Sequence, residues 1–172
     1  MSDLEKRIKR LEDIEEIKSL MGKYYRCLDL KDWDNLKTCF SPNVVTSYSD
    51  GKLCFKGPDE TVGFFAKVMG FDDQISQHQG HTPEITIDDE NNAHGHWYLQ
   101  DYLVIRKHNL GLRGTAIYTI KYEKVDGAWK ILDIGYNRIF EERWNRSDYN
   151  NRQFTELHPG FKTGDLADVG AK

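Results

Sequence analysis

Ala93-His94-Gly95-His96-Trp97-Tyr98-Leu99-Gln100-Asp101-Tyr102-Leu103-Val104-Ile105-Arg106 decides the architecture. Trp97, Leu99, Leu103 and Ile105 alternate with more polar neighbours, and period two belongs to a strand with one face on a core. The same period recurs upstream over residues 78–87 and downstream over 112–125 and 128–141. Asp88-Asp89-Glu90-Asn91-Asn92, a loop around His108 and Gly111, and Asp126-Gly127 connect these runs. Such connections predict hairpins, and hence antiparallel pairing.

Before residue 70 the period is that of a helix. Ser2-Asp3-Leu4-Glu5 has the pattern of a capping box. Leu4, Ile8, Leu11, Ile14, Ile17, Met21, Tyr24 and Leu28 then form one apolar stripe, predicting a helix to about residue 30. Its other face mixes both signs, as a solvated surface does. A short helix over residues 32–40 turns Trp33, Leu36, Cys39 and Phe40 inward, and Ser41-Pro42-Asn43 stops it. Short strands over 44–48 and 53–55 flank Ser49-Asp50-Gly51. Gly57-Pro58 opens a third helix over 59–69. Helices followed by antiparallel strands predict an α+β fold. A curved sheet under one helical layer leaves a concave pocket, the default ligand site. The pattern ends at Trp144. Residues 1–144 are read as one domain, and the polar stretch 145–172, with Pro159, Gly160, Gly164 and Gly170, as a C-terminal arm or tail.

Composition narrows the function. The chain has 172 residues, 24 Lys+Arg against 28 Asp+Glu and a net charge of −4, the wrong sign for a sequence-independent nucleic-acid binder. Aromatic residues make up 12%, too many for a disordered chain. No apolar run approaches the roughly 18 residues of a membrane span, and the charged start has no signal-peptide core. Cys27, Cys39 and Cys54 are odd in number and form no C-x-x-C, so they read as reduced, packed thiols of a cytoplasmic protein. Nucleophile-elbow, phosphate-loop and dinucleotide-binding motifs do not occur.

Polar residues in apolar rows carry the chemistry. Asp101 interrupts Trp97, Leu99, Leu103 and Ile105. Arg138 interrupts Leu132, Ile134, Tyr136 and Phe140. A buried unpaired charge is costly, so each needs a partner. Either the two are structural ions or both face a polar spot in the pocket. Asp29 sits in the last helical turn, where the macrodipole disfavours an anion, although a turn or cap would also explain it. Tyr24 continues the stripe and by itself reads as a packed aromatic. His78 and His81 enter one strand three apart, on opposite faces, which weakens metal ligation by that pair. His94 and His96 share a face, but no third ligand completes a recognisable metal set, leaving a cupin-like site as a lesser alternative. Histidine, aspartate and tyrosine without a Ser or Cys nucleophile point to proton transfer: elimination, hydration or isomerisation.

Several segments also carry a family resemblance. They are Gly22-Lys23-Tyr24-Tyr25-Arg26-Cys27-Leu28-Asp29, Ser41-Pro42-Asn43-Val44-Val45-Thr46-Ser47-Tyr48-Ser49, His78 to Ile87, Trp97 to Asp101, Tyr122 to Gly127 and Gly135 to Ile139. Together they resemble the nuclear-transport-factor-2-like superfamily in its SnoaL-like, scytalone-dehydratase-like branch, and within it the bacterial bile-acid 7α-dehydratases. The resemblance implies a cone-shaped barrel of a curved, mostly antiparallel sheet covered by three N-terminal helices. It implies a cofactor-independent hydro-lyase acting on a hydroxysteroid, a 7α-hydroxy-3-oxo-4-ene bile acid or its coenzyme A thioester, and a homotrimer. It places catalytic roles on Tyr24, Asp29, His78, Asp101 and Arg138, and substrate contacts on His81, Trp97, Leu99, Tyr118 and Phe140, with no metal. A ketosteroid-type isomerase and a non-catalytic small-molecule-binding module are the competing readings on the same fold.

Overall fold

The computed structural model describes residues 2–48, 51–70 and 73–148. In chain order the elements are α1 (Asp3–Asp29), α2 (Trp33–Lys37), β1 (Phe40–Tyr48), β2 (Leu53–Lys56), α3 (Gly57–Met69), β3 (Gln74–Ile87), β4 (Asn92–Ile105), β5 (Leu110–Val125) and β6 (Ala128–Asn145). The capping box forms: Ser2 Oγ accepts from the Glu5 amide, and the Glu5 carboxylate accepts from the Ser2 amide. The stop expected at Ser41-Pro42-Asn43 is instead the first part of β1, so α2 is shorter than its pattern. Asp126 and Gly127 take positive φ, 51° and 79°, and close the β5–β6 hairpin.

Six strands form one sheet in the order β2-β1-β6-β5-β4-β3. All neighbours are antiparallel except β1 and β6, which run parallel. The α+β class holds, but the expected barrel does not close: the curved sheet ends at β2 on one side and β3 on the other. β6 continues to Asn145 and into a turn at Arg146–Asp148, where Arg146 is buried, so strand order extends past the expected boundary at 144. Positions 149–172 of the expected arm, and the Ser49-Asp50 part of the first turn, lie outside the described residues.

Two bulges in β6 decide which side chains look inward. Tyr122 pairs with Ile131 but Lys121 with Asp133, which leaves Leu132 as the extra residue. Ala116 pairs with Arg138 but Thr115 with Phe140, which leaves Ile139 as a second one. Each insertion reverses the alternation that follows it. The inward row is therefore Ile131, Ile134, Tyr136 and Arg138, while Leu132 and Phe140 drop out of it.

The second half of α1 packs on the inner face, burying Ile17, Met21, Tyr24 and Leu28 against Leu99, Ile120 and Ile134 among others. Asp13 is also buried there, 3% exposed. Its Oδ1 accepts from Lys124 Nζ at 2.6 Å and Trp129 Nε1 at 3.0 Å, and Lys9 Nζ stands 3.3 Å away. The carboxylate thus ties the helix to the β5–β6 hairpin. Burial pushes its pKa up, but the hydrogen bonds from Lys124, Trp129 and Lys9 outweigh that and hold it below the ordinary carboxylate value. A depressed folded-state pKa contributes stability above the unfolded value of about 3.9 and loses it as pH falls through the folded one. Asp13→Asn is expected to lower the unfolding free energy by about 3 kcal/mol at neutral pH, the low end for breaking a buried pair, because Lys124 can still reach solvent. Chemical denaturation of both proteins from pH 7 to pH 3 checks this: the gap should shrink below about pH 4.

Candidate active site

The row of partners across β3, β4 and β5 builds the site. His78 lies opposite Asp101, and Asp101 opposite Gly114. One row along, Leu99 lies opposite Ala116, and Ala116 opposite Arg138. These side chains share the inner face, with Tyr118 and Tyr136 in the next row. Tyr24, Tyr48, His78, Leu99, Asp101 and Arg138 are among the residues that line a cavity of about 170 Å³, floored by the sheet and flanked by α1 and α3.

Asp29, the last residue of α1, receives three hydrogen bonds, all from β3. His78 Nδ1 lies 2.6 Å from its Oδ1, the His78 amide donates to Oδ2 at 2.8 Å, and Ser76 Oγ donates to Oδ1 at 2.8 Å. Three donors offset the unfavourable helix end. The cap of the next helix is Asp32, not Asp29, which removes the capping explanation. In the neutral imidazole, an accepting carboxylate at this position puts the proton on Nδ1 and leaves Nε2 as the acceptor.

Asp101 is 3% exposed. It accepts both arms of the Arg138 guanidinium, from Nη1 at 2.6 Å and Nη2 at 2.7 Å, with Glu141 a further 3.5 Å contact. The arginine also lies over the Tyr136 ring, 5.0 Å from its centroid. Burial opposes its charge, but the Asp101 hydrogen bonds outweigh it and raise the pKa further. The pair needs Gly114. A Cβ there would stand 2.5 Å from Arg138 Nη1 and 2.9 Å from Asp101 Oδ1. The guanidinium leans diagonally across the bare backbone of β5 to reach β4. The two residues singled out in separate apolar rows are partners, and they are also neighbours of His78 on the cavity wall.

Burial holds the Tyr24, Tyr48 and Tyr118 phenols well above their usual pKa, so they are neutral hydrogen-bond donors at pH 7. Tyr48 Oη is buried on the cavity wall, close to the Tyr24 and Thr46 hydroxyls. It was not singled out in the sequence, where Tyr48 reads as an ordinary strand aromatic. A signal existed: Thr46 and Tyr48 share one face of β1, and both turn inward.

The expected substrate contacts divide. Leu99 and Tyr118 line the cavity. Trp97 faces inward but is packed beyond it, donating to Tyr122 Oη at 3.0 Å. His81 and Phe140 are on the outer face: His81 pairs with exposed Tyr98, and the Ile139 bulge turns Phe140 out to 48% exposure. The bulge corrects the expectation that Phe140 walls the pocket. His94 and His96 also look outward, His94 toward Asp88 at 2.9 Å and His96 toward Thr119 at 3.3 Å. Among the described residues no three His, Cys, Asp or Glu side chains converge as a metal site, and no helix is long and apolar enough to cross a membrane.

Comparison with known proteins agrees with this architecture. The profile of the SnoaL-like domain matches residues 9–134, most of the chain. The chain belongs to the SnoaL-like domain family. Its fold is shared with a scytalone dehydratase-like protein from Novosphingobium aromaticivorans at TM-score 0.74 and 18% identity, over 79% of this chain and 90% of that one. It is shared with the hexachlorocyclohexane dehydrochlorinase LinA-type3 of Novosphingobium barchaimii at TM-score 0.73 and 17% identity, over 80% and 94%. A third relative in structure is a nuclear-transport-factor-2-like protein with a cystatin-like fold from Novosphingobium aromaticivorans, at TM-score 0.68 and 15% identity, over 80% and 88%. Identities this low speak for the SnoaL-like fold alone. On that fold, dehydratase and dehydrochlorinase are both names of eliminating enzymes.

Proposed function

We propose that this SnoaL-like protein is a cofactor-independent hydro-lyase. The observation that carries the reading is His78: oriented by Asp29 through Nδ1, it borders a cavity whose lining, among the described residues, includes no Ser, Cys or Lys nucleophile. A base without a nucleophile suits removal of a proton alpha or vinylogous to a carbonyl, followed by loss of a leaving group. His78 Nε2 takes the C–H proton. Its electron pair becomes the new double bond, the C–O bond breaks, and the hydroxyl departs as water with a proton returned to it. Tyr24 donates a hydrogen bond to the departing hydroxyl or to the carbonyl oxygen, and Tyr48, buried close to it, is a second hydroxyl bordering the same space. The Asp101–Arg138 pair fixes the polar end of the cavity and supplies a preorganised field.

The substrate proposed is a hydroxysteroid, a 7α-hydroxy-3-oxo-4-ene bile acid or its coenzyme A thioester. Conjugation to the ketone acidifies the proton to be removed. A cavity of about 170 Å³ is below the roughly 300 Å³ where sites for drug-sized ligands begin. It therefore holds the reacting ring, and the remaining rings extend past Leu53 and Val68, which line the cavity and are part-exposed. Incubation with the free steroid and its thioester tests this. Loss of one water by mass spectrometry, with an absorbance shift from longer conjugation, is expected. Rearrangement without a mass change makes the protein an isomerase, and binding without turnover makes it a binding module. Either result overturns the proposal.

A homotrimer is proposed with it. The inner face carries the helices, while the outer face leaves Tyr98, Tyr102, Ile139 and Phe140 exposed. Exposed apolar sheet surface of this kind marks interfaces. The cytoplasm is the proposed location, consistent with three free cysteines, Cys27, Cys39 and Cys54.

A further inference from the structure

We propose that residues 4–18 of α1 form a docking surface for the same stretch of a second copy of this chain, packed antiparallel about a two-fold axis near Leu11. Every residue from Ser2 to Glu12 is exposed, and burial begins at Asp13. Leu4, Ile8 and Leu11 are 62%, 47% and 64% exposed. At about 100° per residue, these three fall within about 60° of each other and about 140° around the helix from Ile17, Met21, Tyr24 and Leu28. The stripe read as continuous in the sequence therefore winds round the helix. Its second half enters the core, and its first half points away.

Charge selects the occupant. Between residues 6 and 16 of α1 the signs are blocked: Lys6, Arg7, Lys9 and Arg10 precede Glu12, Asp13, Glu15 and Glu16. Reflection about Leu11 sets Arg10 opposite Glu12, Arg7 opposite Glu15, Lys6 opposite Glu16, Ile8 opposite Ile14 and Leu11 opposite itself, with Leu4 against the aliphatic stem of Lys18. A parallel, in-register pair would set like charges together, so of the two pairings that close on a two-fold axis the antiparallel one is complementary. Within the helix the salt bridges are Lys9–Asp13 and Lys18–Glu15, and Arg7, Arg10, Glu12 and Glu16 have none among the described residues. Arg7, Leu4, Ile8, Leu11 and Glu15 lie on one side of the helix by the same angular count, so the charges that fix the register flank the apolar contact. The contact is isologous, each copy giving the same patch. One helix pair is smaller than a standing interface of about 1,000 Å² or more, so association should depend on concentration and add to whatever the sheet face forms.

Light scattering of the full chain across a dilution series reads this as a mass ratio. A twofold fall in mass on dilution, or on Leu11→Glu with unchanged circular dichroism, is expected. Arg7→Glu and Glu15→Arg should each prevent the doubling. The two single variants mixed together should regain it, and so should the double variant alone. A mass that Leu11→Glu leaves unchanged overturns the proposal. A fall to one third places this stretch in a three-fold interface and overturns it too, as does failure of the two mixed variants to associate.

Discussion

His78→Ala is expected to lower kcat/KM by about 10²–10⁴, the usual contribution of a positioned general base, and to leave the unfolding midpoint nearly unchanged. The two halves of that expectation have separate grounds. Turnover falls because the bare Nε2 is lost from the cavity wall. Stability is kept because Asp29, freed of the ring, still accepts from Ser76 Oγ and the His78 amide, so no buried carboxylate is orphaned. Asp29→Asn is a poorer probe, since it disturbs all three hydrogen bonds to β3 at once. His81→Ala is the control: three residues along the same strand and in the same register, but by the odd spacing on the outer face. Steady-state kinetics and thermal unfolding of both variants decide it. Equal losses for His78 and His81, or full activity without His78, would remove the proposed base.

Strand alternation and helix periodicity were enough to read the α+β class, the four long strands and the rows that contain Asp101 and Arg138. Alternation fails wherever a bulge intervenes. Nothing local to Tyr136-Asn137-Arg138-Ile139-Phe140 announces that Ile139 is the extra residue, because the insertion is defined by its pairing with β5. Phe140 was misplaced for that reason, while Arg138, before the bulge, was not. Asp13 was missed because in α1 it reads as one more charge on a charged helix. Its burial comes from Lys124 and Trp129, more than 100 residues away in sequence. The converse error is the first half of the apolar stripe. Steps of three and four keep residues near one another from turn to turn, but consecutive steps of three drift round the helix, and the sheet reaches only the later turns. The open edge at β3 has a similar cause, because closure depends on strand tilt and stagger that no single segment encodes.

Asp101 and Arg138 should be energetically coupled, and unequally so. Removing the arginine with Arg138→Gln leaves Asp101, 3% exposed, with no cation opposite it. Breaking a buried pair in this way costs about 3–5 kcal/mol, and that is the expected loss of unfolding free energy. Asp101→Asn is expected to cost less, because Arg138 is more open to solvent and keeps Glu141 at 3.5 Å. The double variant should lose much less than the sum, since the second change removes a group already unpaired. A double-mutant cycle on both unfolding free energy and kcat/KM measures the coupling. Gly114→Ala separates position from charge: it keeps both ions but places a methyl group where the guanidinium crosses β5. If the pair acts by holding a fixed field at the end of the cavity, this variant should lose kcat more than it loses affinity for substrate. If the pair is only a structural tie, activity should follow stability through all four proteins. Effects that add within about 0.3–0.5 kcal/mol, the limit for independent sites, would mean that the two residues do not act together.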